Sequence, residues 1–242
     1  MNIIKKRNYE EVSEEAANII LSTMSQDKQV NVSLTGGSSP KRTYEIIAEK
    51  VNENSAYLAN ANFFNFDEVV LGGKEDRNYV QQVMGELIYD KIDVAPDRLY
   101  GINDENYQHY DKMIEELGGL DVMLLGLGND GHFCGNMPFT TPLASGTYRF
   151  KISKKYPWYQ TFIDIFGEEL PEDVYSMGPL SIQKVKRIVL MISGKNKAEA
   201  TKQFFESEVT NEFPASVLKL HSNFTVILDE EAAQLVDPSL LA

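Results

Sequence analysis

Hydrophobic and polar positions follow two different periods along this chain, and the periods alternate from segment to segment. Apolar runs of strand length lie at residues 30–34, 62–66, 120–125, 187–192 and 224–228, and a weaker run at 148–152 predicts an edge strand. Between these runs, apolar residues recur at helical spacing, which predicts amphipathic helices at 9–24, 44–51, 80–88, 107–117, 195–200 and 230–235. The chain is therefore expected to alternate between strand and helix.

This alternation predicts an α/β fold. Parallel strands need crossover connections, usually helices, so the order indicates a three-layer, Rossmann-like arrangement: a mostly parallel sheet with helices on both faces. No flexible linker, internal repeat or low-complexity tract interrupts the pattern, and residues 1–242 are expected to form a single domain. The aromatic segment 154–171 lacks a clear period, and two interpretations stay open for it: a lid over a ligand, or a packing segment at the surface.

A glycine-rich stretch at residues 126–132 follows the most apolar of the predicted strands. Its glycines allow the backbone to turn sharply and to approach a ligand closely. Asp130 and His132 add a carboxylate and a ring that titrates near neutral pH. Because open α/β sheets bind ligands beyond the carboxyl ends of their strands, we expect a functional site here.

A second glycine-containing turn joins the strand at 30–34 to the following helix. Its residues are Thr35, Gly36, Gly37, Ser38 and Ser39. Backbone N–H groups and hydroxyls at a helix N-terminus suit a phosphate, although a plain turn with a serine as helix cap fits the same residues. The turn matches neither the dinucleotide-binding fingerprint nor the Walker A motif, so neither a dinucleotide nor ATP is implied.

Further polar residues follow other predicted strands. Asp67 and Glu68 come after the run at 62–66, residues 72–76 are expected to form a turn, and residues 193–197 follow the run at 187–192. If the strands are parallel, residues 35–39, Asp67, residues 130–132 and residues 193–197 all lie at the same edge of the sheet. The sequence therefore predicts one crevice lined by these segments.

Composition narrows the classes of partner and compartment. The chain has 23 basic and 36 acidic side chains and a net charge of −13, which disfavours nucleic acid as a partner. No stretch has the apolar length of a membrane span, and the first residues lack the apolar core of a signal peptide. One cysteine and three scattered histidines give neither a disulfide nor a zinc site, so we expect a cytoplasmic protein without a metal. Cys134 is expected to be a small buried side chain rather than a nucleophile, and His109 and His221 are expected to be structural.

The order of these motifs resembles a known family. Five stretches are similar to those of glucosamine-6-phosphate deaminases, also called isomerases, and 6-phosphogluconolactonases. They are Thr-Gly-Gly-Ser-Ser-Pro at 35–40, Phe-Asn-Phe-Asp-Glu at 64–68, Gly-Asn-Asp-Gly-His at 128–132, Lys-Ala at 197–198 and Pro-Ala-Ser at 214–216. The resemblance implies a phosphorylated hexose as substrate, no metal or organic cofactor, and compatibility with a homo-oligomer.

The resemblance also implies roles for single residues. The turn at 35–39 would bind the substrate phosphate with help from Lys197, and Arg149 is a further candidate for this task. Asp67 would move a proton between C1 and C2 of the sugar, and His132 would open the pyranose ring with Asp130 as its partner. These roles are chemically reasonable, because isomerisation needs a carboxylate near a carbon acid and ring opening needs a group that titrates near neutrality.

One position departs from the deaminase pattern. Deaminases typically continue into Asn-Glu-Pro, whereas this chain has methionine in the middle of that triplet, at Met137. Methionine carries no charge and accepts hydrogen bonds weakly. The lactonases also lack the glutamate, and there the histidine activates water. Residues 65–68 and 214–221 are nevertheless closer to the deaminases, and Val69 stands where lactonases usually have arginine. The prediction is an amino-sugar-6-phosphate isomerase/deaminase; the alternatives are a 6-phosphogluconolactonase and a non-catalytic sugar-phosphate sensor.

Overall fold

A computed structural model describes residues 1–71, 78–167, 170–171 and 173–241. The turn predicted at 72–76 lies outside the described residues. The strands are β1 (Asn2–Lys6), β2 (Val30–Ser33), β3 (Ala61–Phe64), β4 (Asp67–Val69), β5 (Leu99–Tyr100), β6 (Val122–Gly126), β7 (Tyr148–Lys151), β8 (Asp173–Ser176), β9 (Ile188–Ile192) and β10 (Phe224–Asp229). The α-helices are α1 (Tyr9–Met24), α2 (Lys41–Glu53), α3 (Tyr79–Met84), α4 (Tyr110–Glu116), α5 (Tyr159–Phe166), α6 (Pro179–Ile182), α7 (Ala198–Glu206) and α8 (Glu230–Ala233).

The main sheet has seven of the described strands, in the order β1-β10-β9-β6-β2-β3-β5, and neighbouring strands are parallel. Residues 122–125 of β6 are all buried, as expected for a strand covered on both faces. Successive side chains of a strand point to opposite faces, so Val122 and Leu124 enter one apolar cluster while Met123 and Leu125 enter another. The predicted mostly parallel sheet is confirmed.

Helices cover both faces of this sheet. Helices α1 and α2 contribute Ile20 and Tyr44 to the cluster that contains Leu124, whereas α4 and α7 contribute Tyr110 and Phe204 to the cluster that contains Leu125. This confirms the predicted layering. Among the described residues, no helix combines the length and the apolar character needed to cross a membrane.

A second, smaller sheet was not predicted. It is antiparallel and three-stranded, in the order β4-β8-β7. The expected edge strand at 148–152 is its strand β7, but β8 had no clear sequence signal. Asp67 is the first residue of β4, paired with Ser176, instead of following directly on a strand of the parallel sheet, because β3 already ends at Phe64. The small sheet therefore turns Asp67 towards the carboxyl edge of the main sheet.

Candidate active site

A cavity of about 670 Å³ lies at the carboxyl ends of the parallel strands. Most of the predicted site residues line it: Thr35, Gly36, Gly37, Ser38, Ser39, Asp67, Asp130, His132 and Lys197. These residues come from four separate parts of the sequence, as the crevice argument expected. The single exception among the predicted site residues is Arg149.

The turn between β2 and α2 forms one wall of the cavity. Gly37 has a φ of 87°, a left-handed conformation that favours glycine. The buried hydroxyl of Tyr44 on α2 donates to the carbonyl oxygen of Thr35 at 2.6 Å, and the Tyr9 hydroxyl donates to that of Ser39 at 3.0 Å. No side-chain hydrogen bond caps α2, which follows Pro40. The helix-cap reading of this turn is therefore not what is seen, and the hydroxyls of Ser38 and Ser39 belong to the cavity wall.

The loop after β6 holds a histidine–aspartate pair. Nδ1 of His132 lies 2.6 Å from Oδ1 of Asp130, and the backbone N–H of His132 donates to the same oxygen at 3.1 Å. Burial alone would raise the pKa of Asp130, but the hydrogen bonds and charge of His132 outweigh it and lower that pKa. An ionised Asp130 holds Nδ1 as the protonated ring nitrogen, so Nε2 is the nitrogen left to exchange a proton with a ligand.

Glycines in this loop allow the ring to sit where it does. A Cβ atom at Gly128 would overlap the imidazole of His132, and one at Gly131 would overlap the ring of Phe213. Gly131 also has a φ of 85°. The glycine-rich pattern therefore reflects close approach of side chains to the loop backbone at these two positions.

The adjacent carboxylates Asp67 and Glu68 point to different environments. Asp67 lines the cavity, and burial raises its pKa to about 7, partly opposed by the charge of His132. Glu68 is fully buried and accepts hydrogen bonds from the backbone N–H groups of Val69, Val80 and Gln81 at 2.9, 2.6 and 3.2 Å. Asp67 thus has the protonation behaviour of a general base near neutral pH, while Glu68 ties α3 to the small sheet.

Of the described residues that line the cavity, Lys197 is the only lysine or arginine. Its ammonium donates to the carbonyl oxygen of Leu127 at 2.7 Å, which holds it beside the histidine loop. Burial lowers its pKa, partly opposed by the charge of Asp130. A partly desolvated ammonium attracts an anionic ligand more strongly than a hydrated one.

Arg149 does not line the cavity. It is exposed on β7, with its Nε 3.7 Å from Asp173 and its guanidinium 5.8 Å from the centre of the Tyr107 ring. Exposure alternates along β7, and Arg149 falls on the outward face. The geometry therefore gives no support to a phosphate-binding role for Arg149.

Sequence reasoning missed the apolar side of the cavity. Tyr79, Val80 and Val83 from α3 line it, together with Pro157, Trp158, Thr161 and Ile165 from the aromatic segment. Of the two interpretations of that segment, the structure matches a wall over the cavity. The density of aromatic residues in this segment was the signal in the sequence. The residues that the segment faces across the cavity lie far away in the sequence, so the signal did not show where the segment packs.

The remaining candidates have structural surroundings. Cys134 lines the cavity, but burial and the nearby charge of Asp67 raise the pKa of its thiol, which disfavours a nucleophilic thiolate. His221 is buried with Nε2 2.7 Å from the carbonyl oxygen of Val185. Within the described ranges, no group of three or more His, Cys, Asp or Glu side chains is arranged to hold a metal ion.

Comparison with known proteins agrees with this arrangement. The family model for glucosamine-6-phosphate isomerases and 6-phosphogluconolactonases matches residues 5–227. The glucosamine-6-phosphate deaminase of Shouchella clausii (strain KSM-K16) is 36% identical over 241 residues, covering 97% of both chains. That of Clostridium beijerinckii (strain ATCC 51743 / NCIMB 8052) is 32% identical over 247 residues, covering 98% of this chain and all of its own.

Solved structures give the same result. A monomeric glucosamine-6-phosphate deaminase has a TM-score of 0.84 at 31% identity, covering 97% of this chain and 100% of its own. The 6-phosphogluconolactonase from Leishmania guyanensis shares the fold, with a TM-score of 0.73 at 20% identity over 98% of each chain. The chain therefore belongs to the family of glucosamine-6-phosphate isomerases and 6-phosphogluconolactonases.

Proposed function

We propose that this protein is an amino-sugar-6-phosphate isomerase/deaminase, which converts glucosamine-6-phosphate or galactosamine-6-phosphate to a ketohexose 6-phosphate and ammonia. One observation carries the proposal: a single cavity contains a carboxylate with a pKa near neutrality, a histidine–aspartate pair, and a glycine–serine turn beside a lysine. Relatives that are 30–36% identical over nearly the whole chain are glucosamine-6-phosphate deaminases, which adds support.

Substrate binding would begin with the phosphate. The turn at Thr35–Ser39 offers hydroxyls and backbone N–H groups before α2, and Lys197 offers a positive charge on the neighbouring wall. A protein with a net charge of −13 repels anions at long range, so it needs such a local concentration of donors. The sugar carbons would then lie between the histidine loop and Asp67.

Ring opening is assigned to His132. Protonated Nε2 gives its proton to the ring oxygen and then accepts the proton of the anomeric hydroxyl, and Asp130 stabilises the imidazolium through Nδ1. The ring oxygen becomes the C5 hydroxyl, and C1 becomes an aldehyde. Neither step requires a metal ion.

Isomerisation and deamination follow from Asp67. Its carboxylate removes the proton from C2 while the carbonyl oxygen on C1 gains the proton that the C2 ammonium group loses, which gives an enolamine. The proton held by Asp67 then returns to C1. The carbon–nitrogen bond at C2 is left as an iminium, which adds water and releases ammonia, so that one water is consumed and a C2 ketone is formed. A base with a pKa of about 7 suits both halves of this proton transfer.

Lactone hydrolysis is the second candidate, and one observation favours it. Met137 is buried in an apolar cluster, so it supplies no carboxylate to the histidine. The pair of His132 and Asp130 is sufficient to activate water against the carbonyl of 6-phosphogluconolactone, as a general base held in one tautomer.

The deciding experiment measures ammonia release from glucosamine-6-phosphate and galactosamine-6-phosphate, beside hydrolysis of 6-phosphogluconolactone corrected for its spontaneous rate. Ammonia release that is lost in both Asp67→Asn and His132→Gln establishes the deaminase. Lactone hydrolysis without ammonia would replace it by the second candidate. Absence of both activities, with sugar phosphates still raising the Tm, would indicate a sensor. Because a single cysteine cannot form an internal disulfide, which agrees with a reducing compartment, we expect the protein to act in the cytoplasm.

A further inference from the structure

The aromatic wall of the cavity packs on a small apolar cluster of its own. We call its buried members the wall cluster: Val69, Met137, Trp158, Phe162 and Val174. It is separate from the two larger clusters on the faces of the main sheet. A segment held by so few buried side chains can open locally while the main fold stays intact. Closure of the wall therefore depends on contacts within this cluster.

Met137 joins the histidine loop to this cluster. It is only 4% exposed, and it lies five positions after His132 in the sequence. Its carbonyl oxygen accepts hydrogen bonds from the hydroxyls of Thr140 and Thr141, at 3.2 and 2.8 Å, so its backbone is fixed. The side chain is thereby held at a defined position under the wall.

Trp158 is attached at the same place. Its indole N–H donates to the carbonyl oxygen of Pro138, the neighbour of Met137, at 3.1 Å. The indole stacks on Tyr156, with ring centres 5.3 Å apart, and meets Phe162 edge to face at 5.7 Å. It is 3% exposed and still lines the cavity. Trp158 consequently transmits the position of residues 137–138 to the start of α5.

Helix α5 continues the wall from this attachment. Thr161 and Ile165 line the cavity, while Phe162, on another side of the helix, enters the wall cluster. A single methionine side chain thus lies between the loop that carries His132 and the helix that covers the ligand space.

We propose that Met137 is a positioning residue that holds Trp158 and helix α5 closed over the cavity, and that this closure sets the affinity for the substrate. The effect on substrate rests on the proposed function, whereas the effect on the wall does not. Met137 itself exchanges no proton, so its loss should act on KM more than on kcat.

The protein provides its own probe, because Trp158 is its single tryptophan. In the native protein, its fluorescence should be shielded from acrylamide. Met137→Ala should increase the acrylamide quenching constant several-fold and shift the emission to longer wavelength, while Met137→Leu, which restores most of the volume, should behave like the native protein. Met24→Ala is the matched control, since Met24 is also buried, at 1% exposed, but lies on α1 in a different cluster.

Kinetics give the second readout. With glucosamine-6-phosphate, Met137→Ala should raise KM roughly tenfold with a smaller change in kcat, and Met137→Leu should restore it. Unchanged quenching in Met137→Ala, with a loss of Tm equal to that of Met24→Ala, would overturn the proposal by making Met137 an ordinary core residue. If Met137→Ala does not fold, Met137→Val removes less volume and takes its place. Its quenching and its loss of Tm are then compared with those of Met24→Ala in the same way.

The two readouts separate the two proposals. If no variant turns over any amino-sugar phosphate, the proposed reaction fails, and the quenching comparison still decides whether Met137 closes the wall. If turnover is normal and quenching does not respond to Met137→Ala, the positioning role fails alone.

Discussion

Adjacent residues on one short strand can have opposite tasks when the fold separates their surroundings. On β4, Asp67 faces the ligand cavity, whereas Glu68 accepts hydrogen bonds from the N–H of its neighbour Val69 and from two N–H groups at the start of α3. Burial raises the pKa of both carboxyls, to about 7 for Asp67 and to about 8 for Glu68, but only Asp67 lines the cavity and can exchange a proton with a ligand.

The pKa of Asp67 predicts the acid limb of the activity. The base form is the ionised one, so kcat/KM should fall about tenfold per pH unit below pH 7. The measurement is ammonia release between pH 5 and about 9, with the affinity of Asp67→Asn for the same sugar phosphate as control, because the substrate phosphate titrates at about 6. A flat profile down to about pH 5 would contradict the assignment of Asp67 as base.

The same pKa also predicts a stability effect. The folded state binds the proton of Asp67 more tightly than the unfolded chain does, so the free energy of unfolding falls as pH rises from about 4 to about 7. Asp67→Asn removes the free-energy cost of ionising a buried carboxyl. It should therefore raise the Tm by about 3 °C at pH 8, with little gain at pH 4. Thermal melts at both values test it, with the exposed Asp27→Asn as control. A Tm that falls at pH 8 would mean that ionised Asp67 is stabilised by a partner.

The residue scale also shows why Arg149 could not be placed from its sequence. A lone arginine after an irregular stretch has no strand-end context, and its position depends on the register between β7 and β8. Asp130 and His132 were easier to place, because a long apolar run ends in glycines directly before them. Their pairing at 2.6 Å is a local contact between residues two positions apart.

Among the elements, five of the seven described strands of the main sheet were predicted, all but β1 and β5, whereas only the edge strand β7 of the small sheet was. Strands β9 and β10 are buried over their whole length, and β6 is buried over all but its last residue, so they appear as continuous apolar runs. Strands β4 and β8 have three and four residues, and they exist because they pair with each other. Strands of three or four residues are too short to show a clear period in the sequence.

Helix α3 offers a prediction about Glu68 at the scale of the element. Glu68→Ala would leave the N–H groups of Val80 and Gln81 near the start of this helix without their buried acceptor. We expect a loss of about 3 kcal/mol in the free energy of unfolding, and a smaller loss for Glu68→Gln, which keeps one acceptor oxygen.

Urea denaturation measures the free energy of unfolding of both Glu68 variants. The exposed Glu45→Ala serves as control, since its carboxylate lies on the outer side of α2. Equal losses for the two Glu68 variants would mean that the packing of the side chain, and not its hydrogen bonds, holds α3.

At the scale of the whole molecule, the main question is how an acidic protein binds an anion. The net charge is −13, and its long-range effect is screened beyond about 8 Å at physiological salt. Within the cavity, the affinity for an anion is set instead by the nearest donors, which are the turn at Thr35–Ser39 and the ammonium of Lys197. Anion binding should therefore depend on Lys197 far more than on surface cations.

Inorganic phosphate tests this directly. Phosphate should raise the Tm of the native protein in proportion to RT ln(1 + [L]/Kd), and ten times more ligand should add about 1.4 kcal/mol once the site is filled. Lys197→Gln should remove most of this gain, because a partly buried charge next to the ligand is worth roughly 1.5–3 kcal/mol as a charge-assisted hydrogen bond. Arg149→Gln is the matched control, since it removes one positive charge from the same protein outside the cavity. Equal losses in the two variants would assign the phosphate effect to overall charge, whereas a loss confined to Lys197→Gln would place the anion in the cavity beside Asp130 and His132.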